Sequence, residues 1–202
     1  MRTRTMAIAA CVLLAFVVTR AAQSPSPGVG SSEGSWSQAI DGLRGRLILT
    51  AFLDGSHQQV RLDLEIENVR DTLGPIEIPW REPPSSIVRF ALEDEAGVRV
   101  VSDVVPGGNE LSTMPYVLTL PQSSATRMTV SQAAYEYLPD GRVWLRPFAF
   151  VAWNMPATRT RPYLLATLEP KTPEARDHPR PWVGPLVLPR VQLPAPEPTG
   201  RP

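Results

Sequence analysis

Val60, Leu62, Leu64 and Ile66 alternate with Arg61, Asp63, Glu65 and Glu67. An extended backbone sets the four apolar groups on one face and the four charges on the other, which is the pattern of a half-buried antiparallel strand. Leu47, Leu49, Ala51 and Leu53 alternate in the same way, and Asp54-Gly55 follows them, so 46–53 and 59–67 are expected to form a hairpin. Val88, Phe90 and Leu92 mark a third inward set. Glu93-Asp94-Glu95-Ala96-Gly97 then supplies a turn with glycine where a positive φ is needed, and 98–101 returns as the partner strand. Farther on, 127–130 reads as a short strand, 142–153 as one long strand that Pro147 interrupts by a bulge or an edge position, and 163–168 as another. A last strand is expected over 182–193, broken by Pro185 and Pro189. No window of eleven or more residues carries a helical period, although 35–43 has room for one turn. Seven or eight strands joined by Gly- and Pro-rich loops predict an all-β, antiparallel β-sandwich.

The ends of the chain have a different texture. Arg2 and Arg4 precede the uncharged run 6–18, and Thr19-Arg20-Ala21-Ala22 follows, which is the order of a secretory signal peptide over 1–21 with cleavage after Ala21. The apolar run is shorter than the roughly 20 residues a membrane span needs, so no stable membrane insertion is expected once it is cleaved. Ile8-Ala9-Ala10-Cys11 has the residue types of a lipoprotein box, but most of the apolar run follows the cysteine instead of preceding it, so Cys11 reads as an ordinary residue of the signal. Residues 22–38 are Ser, Gly and Pro with little to bury and read as a disordered spacer. The folded domain is expected over 39–193, and 194–202 is a proline-rich tail. The expected destination is secreted or periplasmic.

Composition narrows the function. Twenty basic against twenty acidic groups leave no excess charge to neutralise phosphates, so nucleic acid is not an expected partner. Cys11 is the one cysteine, and with the signal removed neither a thiol nucleophile, a thiolate metal site nor a disulfide is available.

The alternating strand ending at Asn68, the set 87–92 running into Asp94-Glu95-Ala96-Gly97-Val98, and Tyr135-Glu136-Tyr137 shortly before 142–153 together resemble the immunoglobulin-like or fibronectin-type-III-like sandwich domains of secreted bacterial proteins. The resemblance covers about 47–193. It implies that Tyr135 or Tyr137 stands where such domains carry a corner tyrosine. The chain departs from true immunoglobulin domains in lacking the cysteine pair, and its connections at 68–86, 102–122 and 169–181 are long.

Candidate chemistry is sparse. His57 and His178 have no metal-ligand spacing, and no cofactor is expected. Gly30-Ser31-Ser32-Glu33-Gly34 matches G-x-S-x-G, but the motif works only on a strand-to-helix turn, and this one lies in the Ser/Gly spacer. Two acidic clusters, Asp63/Glu65/Glu67 and Glu93/Asp94/Glu95, could supply the carboxylate pair of a hydrolase; the plainer account is a solvated strand face and a turn. Trp80, in Ile78-Pro79-Trp80-Arg81-Glu82-Pro83-Pro84, falls in what reads as an irregular loop, and Trp153 stands at a strand end. Exposed, Trp80 with Arg81, and Trp153, could contact a sugar or a protein partner; otherwise the rings plug the core, as Trp144 and Trp182 are expected to do within apolar strands. The expected function is that of a non-catalytic exported protein binding a protein or cell-envelope partner through loops or a strand edge. A carbohydrate-binding module built on Trp80 and Trp153, and a structural stalk or assembly unit, stand as alternatives.

Overall fold

The computed structural model describes residues 30–55, 57–71, 74–82, 84, 87–104, 114–138, 141–148, 151–156, 161–170, 181–182 and 184–194. The expected signal peptide over 1–21, Cys11, His178 and residues 195–202 lie outside them. The described chain is all-β and sandwich-like, with thirteen strands: β1 Gly30–Glu33, β2 Leu43–Asp54, β3 His57–Asn68, β4 Ile76–Glu82, β5 Val88–Glu93, β6 Arg99–Val100, β7 Asp103–Val104, β8 Met114–Leu120, β9 Ala125–Tyr137, β10 Arg142–Phe148, β11 Val151–Pro156, β12 Tyr163–Leu168 and β13 Leu186–Gln192. They form a seven-stranded sheet in the order β1-β2-β3-β9-β10-β11-β7, a four-stranded sheet in the order β13-β12-β5-β6, and a ribbon of β4 with β8. All pairings are antiparallel. One apolar cluster joins the three, drawing on Leu62 and Leu64 from the first, Leu164 and Leu188 from the second, and Ile78 and Trp80 from the ribbon.

The β2–β3 hairpin forms as the alternation predicts, from Leu43 opposite Asn68 to Asp54 opposite His57, and turns through Gly55 at φ 62°. Its inward residues Leu47, Leu49, Val60, Leu62, Leu64 and Ile66 are buried. The helical turn allowed at 35–43 is absent. Instead Asp41 and Gly42 adopt φ 50° and 79° between Ile40 and Leu43, which exchange both backbone hydrogen bonds, so Asp-Gly makes a mirror-image hairpin turn. The turn 94–97 also forms as expected. Gly97 is at φ 81°, and the Asp94 carboxylate accepts from the Val98 amide at 2.8 Å.

Four expectations are corrected. The spacer is shorter than 22–38, because Gly30–Glu33 pairs with β2 and the Ser37 amide donates to the Gly45 carbonyl; a backbone ladder orders residues that bring almost no apolar surface. The short strand at 127–130 is part of the thirteen-residue β9. Its register against β3 slips between Leu62 and Asp63, so Val130 and Ala133 are both buried and the alternation changes phase between them. The single strand over 142–153 is two, β10 and β11, folded against one another with Leu145 opposite Trp153 and an irregularity between Leu145 and Phe148, around Pro147. The long connections 68–86 and 102–122 contain β4, β7 and β8. Pro79 is tolerated within β4 because that strand has a ladder neighbour on one side only. Tyr135 is buried in β9 opposite Leu145.

The two large sheets come closest where β13 covers β1 and β2. A Cβ on Gly45 would lie 2.9 Å from Leu188 Cδ2, and one on Gly34 would lie 2.7 Å from Val191 Cγ2. Glycine at both positions lets the backbones approach.

Candidate interaction surfaces

The outer face of the seven-stranded sheet carries the charged phase of β2, β3 and β9. Arg44 pairs with Glu67 at 2.6 Å, and Arg46 bridges Glu65 at 2.6 Å and Glu33 at 2.9 Å. The hydrogen bond and charge of Glu65, with a smaller contribution from Glu33, push the Arg46 guanidinium pKa above its usual value and outweigh the opposing effect of burial. Asp63 is nearly enclosed, its side chain 3% exposed. Its Oδ2 accepts from Arg61 Nε at 3.1 Å and from Arg127 Nη2 at 2.6 Å, and its Oδ1 from the Thr129 hydroxyl at 2.8 Å. The cluster Asp63/Glu65/Glu67 is therefore a set of ion pairs, each acid held by its own arginine. The other acidic cluster includes the turn-forming Asp94. His57 lies 3.3 Å from Glu136. No group of three metal-ligating side chains occurs among the described residues.

The tryptophans divide by strand phase. Trp80 sits in β4 opposite Tyr116, Trp153 in β11 opposite Leu145, and each is 2% exposed. Neither ring presents a face to a ligand, which removes the basis of the alternative carbohydrate platform; tertiary packing of β4 and β11 onto the core takes both rings. Arg81 follows Trp80 on the opposite face of the ribbon and is partly exposed. Trp182 is buried as expected and donates from Nε1 to the Ile40 carbonyl at 3.0 Å. Trp36 and Trp144 lie at the surface side instead. Trp36 has the guanidinium carbons of Arg44 and Arg46 at 4.8 and 4.9 Å from its ring centroid, and Trp144 has that of Arg146 at 5.7 Å. For Trp144 the signal was present in Arg142-Val143-Trp144-Leu145-Arg146, where the ring shares the phase of the two arginines.

Strand edges are the remaining surfaces. β6 and β7 are two residues long. β13 is blunted by Pro189 and by a register shift against β12 between Leu164 and Ala166. β4 receives the Trp182 amide on its Glu77 carbonyl. β8 differs. It spans seven residues with its proline, Pro115, next to its first residue, is paired with β4, and has no second ladder partner among the described residues. No charged residue occurs between 111 and 126. Along its core-facing phase Leu120 is buried, Leu118 partly buried and Tyr116 45% exposed, so the ribbon opens toward its Tyr116 end. The sequence reading missed this strand because Pro115 and Pro121 bracket a run too short to display a period. No protein-family model, curated protein or solved structure matches this chain.

Proposed function

We propose that the chain is an exported, non-catalytic, immunoglobulin-like domain that binds a protein or cell-envelope partner along the edge of β8. The observation that carries this reading is the uncharged stretch Tyr116–Leu120, beyond Pro115, at a ribbon edge, since natural sheets guard such edges with charge, proline or irregularity unless a partner strand is to be received. The order β13-β12-β5-β6 supports the immunoglobulin-like part. It follows the G-F-C-C′ sheet of that architecture, and β2-β3-β9-β7 follows A-B-E-D when the β10–β11 hairpin is taken as an insertion. The engagement of Asp63, Glu65 and Glu67 by arginines favours binding over carboxylate hydrolysis.

The test is hydrogen exchange of the secreted protein with and without fractionated envelope and extracellular proteins. Protection should rise over Met114–Leu120, and Thr119→Lys, a charge placed on an exposed position of the strand, should abolish the rise. Protection appearing in another element, or persisting in the lysine variant, overturns the reading. Export is tested by sequencing the N-terminus of the released protein, expected to begin at Ala22.

A further inference from the structure

β1 fills an edge of the seven-stranded sheet with residues that contribute almost nothing to the core. Gly30, Ser31, Ser32 and Glu33 pair with Ala51, Thr50, Leu49 and Ile48, and of these eight the buried apolar side chains, Ile48, Leu49 and Ala51, all belong to β2. The inward positions 30, 32 and 34 are Gly, Ser and Gly. Beyond the ladder, β1 is held by the approach of the Gly34 backbone to Val191 of β13 and by the Glu33–Arg46 pair, whose carboxylate side chain is 52% exposed, and such a pair contributes little. Anchoring begins just after it. The Trp36 ring lies against Arg44 and Arg46, and Ser37 exchanges hydrogen bonds with Gly45, its amide donating to the carbonyl at 2.8 Å and its hydroxyl oxygen accepting from the amide at 3.0 Å. Peeling from β2 as far as residue 35 thus takes no large apolar side chain out of the core.

We propose that β1 is an exchangeable strand, and that the β2 edge beneath it is a receptor for an extended segment of another polypeptide with the pattern small-x-aliphatic-acidic-glycine. Each position of the pattern has its own cause. At position 30 a Cβ meets nothing nearer than Pro194 Cβ at 3.9 Å, so a small side chain fits. At position 32 an aliphatic group would bury apolar surface beside Leu49, which β1 leaves to a serine. At position 33 an acid meets Arg46. At position 34 only glycine fits, because a Cβ would lie 2.7 Å from Val191 Cγ2 and 3.2 Å from the Leu47 carbonyl. Strand replacement of this kind takes its affinity from main-chain hydrogen bonds and its selectivity from alternate side chains. This edge is separate from β8, so the proposal stands or falls independently of the preceding one.

The experiment uses the full secreted chain and a fluorescein-labelled peptide of residues 28–36 carrying Gly30→Ala and Ser32→Val. Three results are expected. The ladder amides of β1 should exchange at least about 100-fold faster than those of the β2–β3 hairpin, as local opening requires. The peptide should bind saturably and expose β1 further, while the same peptide with Gly34→Ala should bind at least about tenfold more weakly. The chain variant Ser32→Val should retain its own strand and bind the peptide at least about tenfold more weakly, whereas Thr119→Lys should leave binding unchanged. Exchange in β1 as slow as in β2–β3, absence of binding, or equal binding of the Gly34→Ala peptide overturns the proposal.

Discussion

Asn68 Nδ2 donates to the Leu120 carbonyl at 3.0 Å, fastening the end of β3 in the large sheet to the end of β8 in the ribbon. The side chain is fully buried and its bonding is saturated on both sides: Nδ2 also reaches the Gly74 carbonyl at 3.3 Å, and Oδ1 accepts from the Arg70 amide at 3.1 Å. Asn68→Ala leaves these buried groups without partners and should lower stability by about 2–4 kcal/mol in urea denaturation. Asn68→Asp should lose at least as much, because a carboxylate has no hydrogen to offer two carbonyls. Exchange in β8 should accelerate in both variants before the hairpin β2–β3 is affected.

Asp63 and Arg127 are asymmetric partners. The carboxylate is 3% exposed and the guanidinium side chain 42%, and Asp63 also holds Arg61 and Thr129. Asp63→Ala should cost about 2–3 kcal/mol, below the range for a wholly buried pair because the arginines return to water, while Arg127→Ala should cost about 1 kcal/mol or less. The double variant should lose less than the sum of the two. Full additivity in the denaturation cycle would show that the pair contributes nothing.

Gly45 sets the distance between sheets. Gly45→Ala places a methyl 2.9 Å from Leu188 Cδ2, 3.1 Å from Leu186 Cδ2 and 3.2 Å from the Glu65 carbonyl, so β13 must shift. The expected loss is about 1–3 kcal/mol by thermal or chemical unfolding. Leu188→Ala, itself a costly core truncation, should cost less in the Gly45→Ala chain than in the natural one, since removing the leucine branch vacates space the new methyl needs.

The five tryptophans should fall into two optical classes. Trp36→Phe and Trp144→Phe should each remove part of the acrylamide-quenched, red-shifted emission. Trp80→Phe and Trp153→Phe should leave that component in place and destabilise the fold instead, since their rings are core. Strong quenching lost on replacing Trp80 or Trp153 would contradict their burial.

What could be read from the sequence follows from how strictly each strand keeps its period. β2, β3, β5 and β12 alternate without interruption against their neighbours or carry a glycine turn, and all four were legible. β9 was legible only over four residues, because the bulge near Val130 moves the buried phase from 126, 128 and 130 to 133 and 135. β10 and β11 merged into one strand, since Pro147 signals a break without saying that the chain reverses. β4 and β8 depend on one another and on the core beneath them, and neither has a local pattern strong enough to outweigh Pro79 and Pro115. For the same reason Trp80 reads as a loop residue although it lies in β4. Trp144 is expected in the core because it lies within an apolar strand, yet it shares the outward phase of Arg142 and Arg146.

The strand orders also fix a timetable. β7 has its ladder partner in β11, β5 in β12, and β3 on its inner side in β9, so in each case the earlier strand waits for one that emerges much later from an N-to-C process. Among the described strands, β1 with β2 and β3, and β5 with β6, can assemble early from neighbours already present. A chain built this way gains most of its structure late, which leaves its apolar strand faces open to misassociation until the last strands are present.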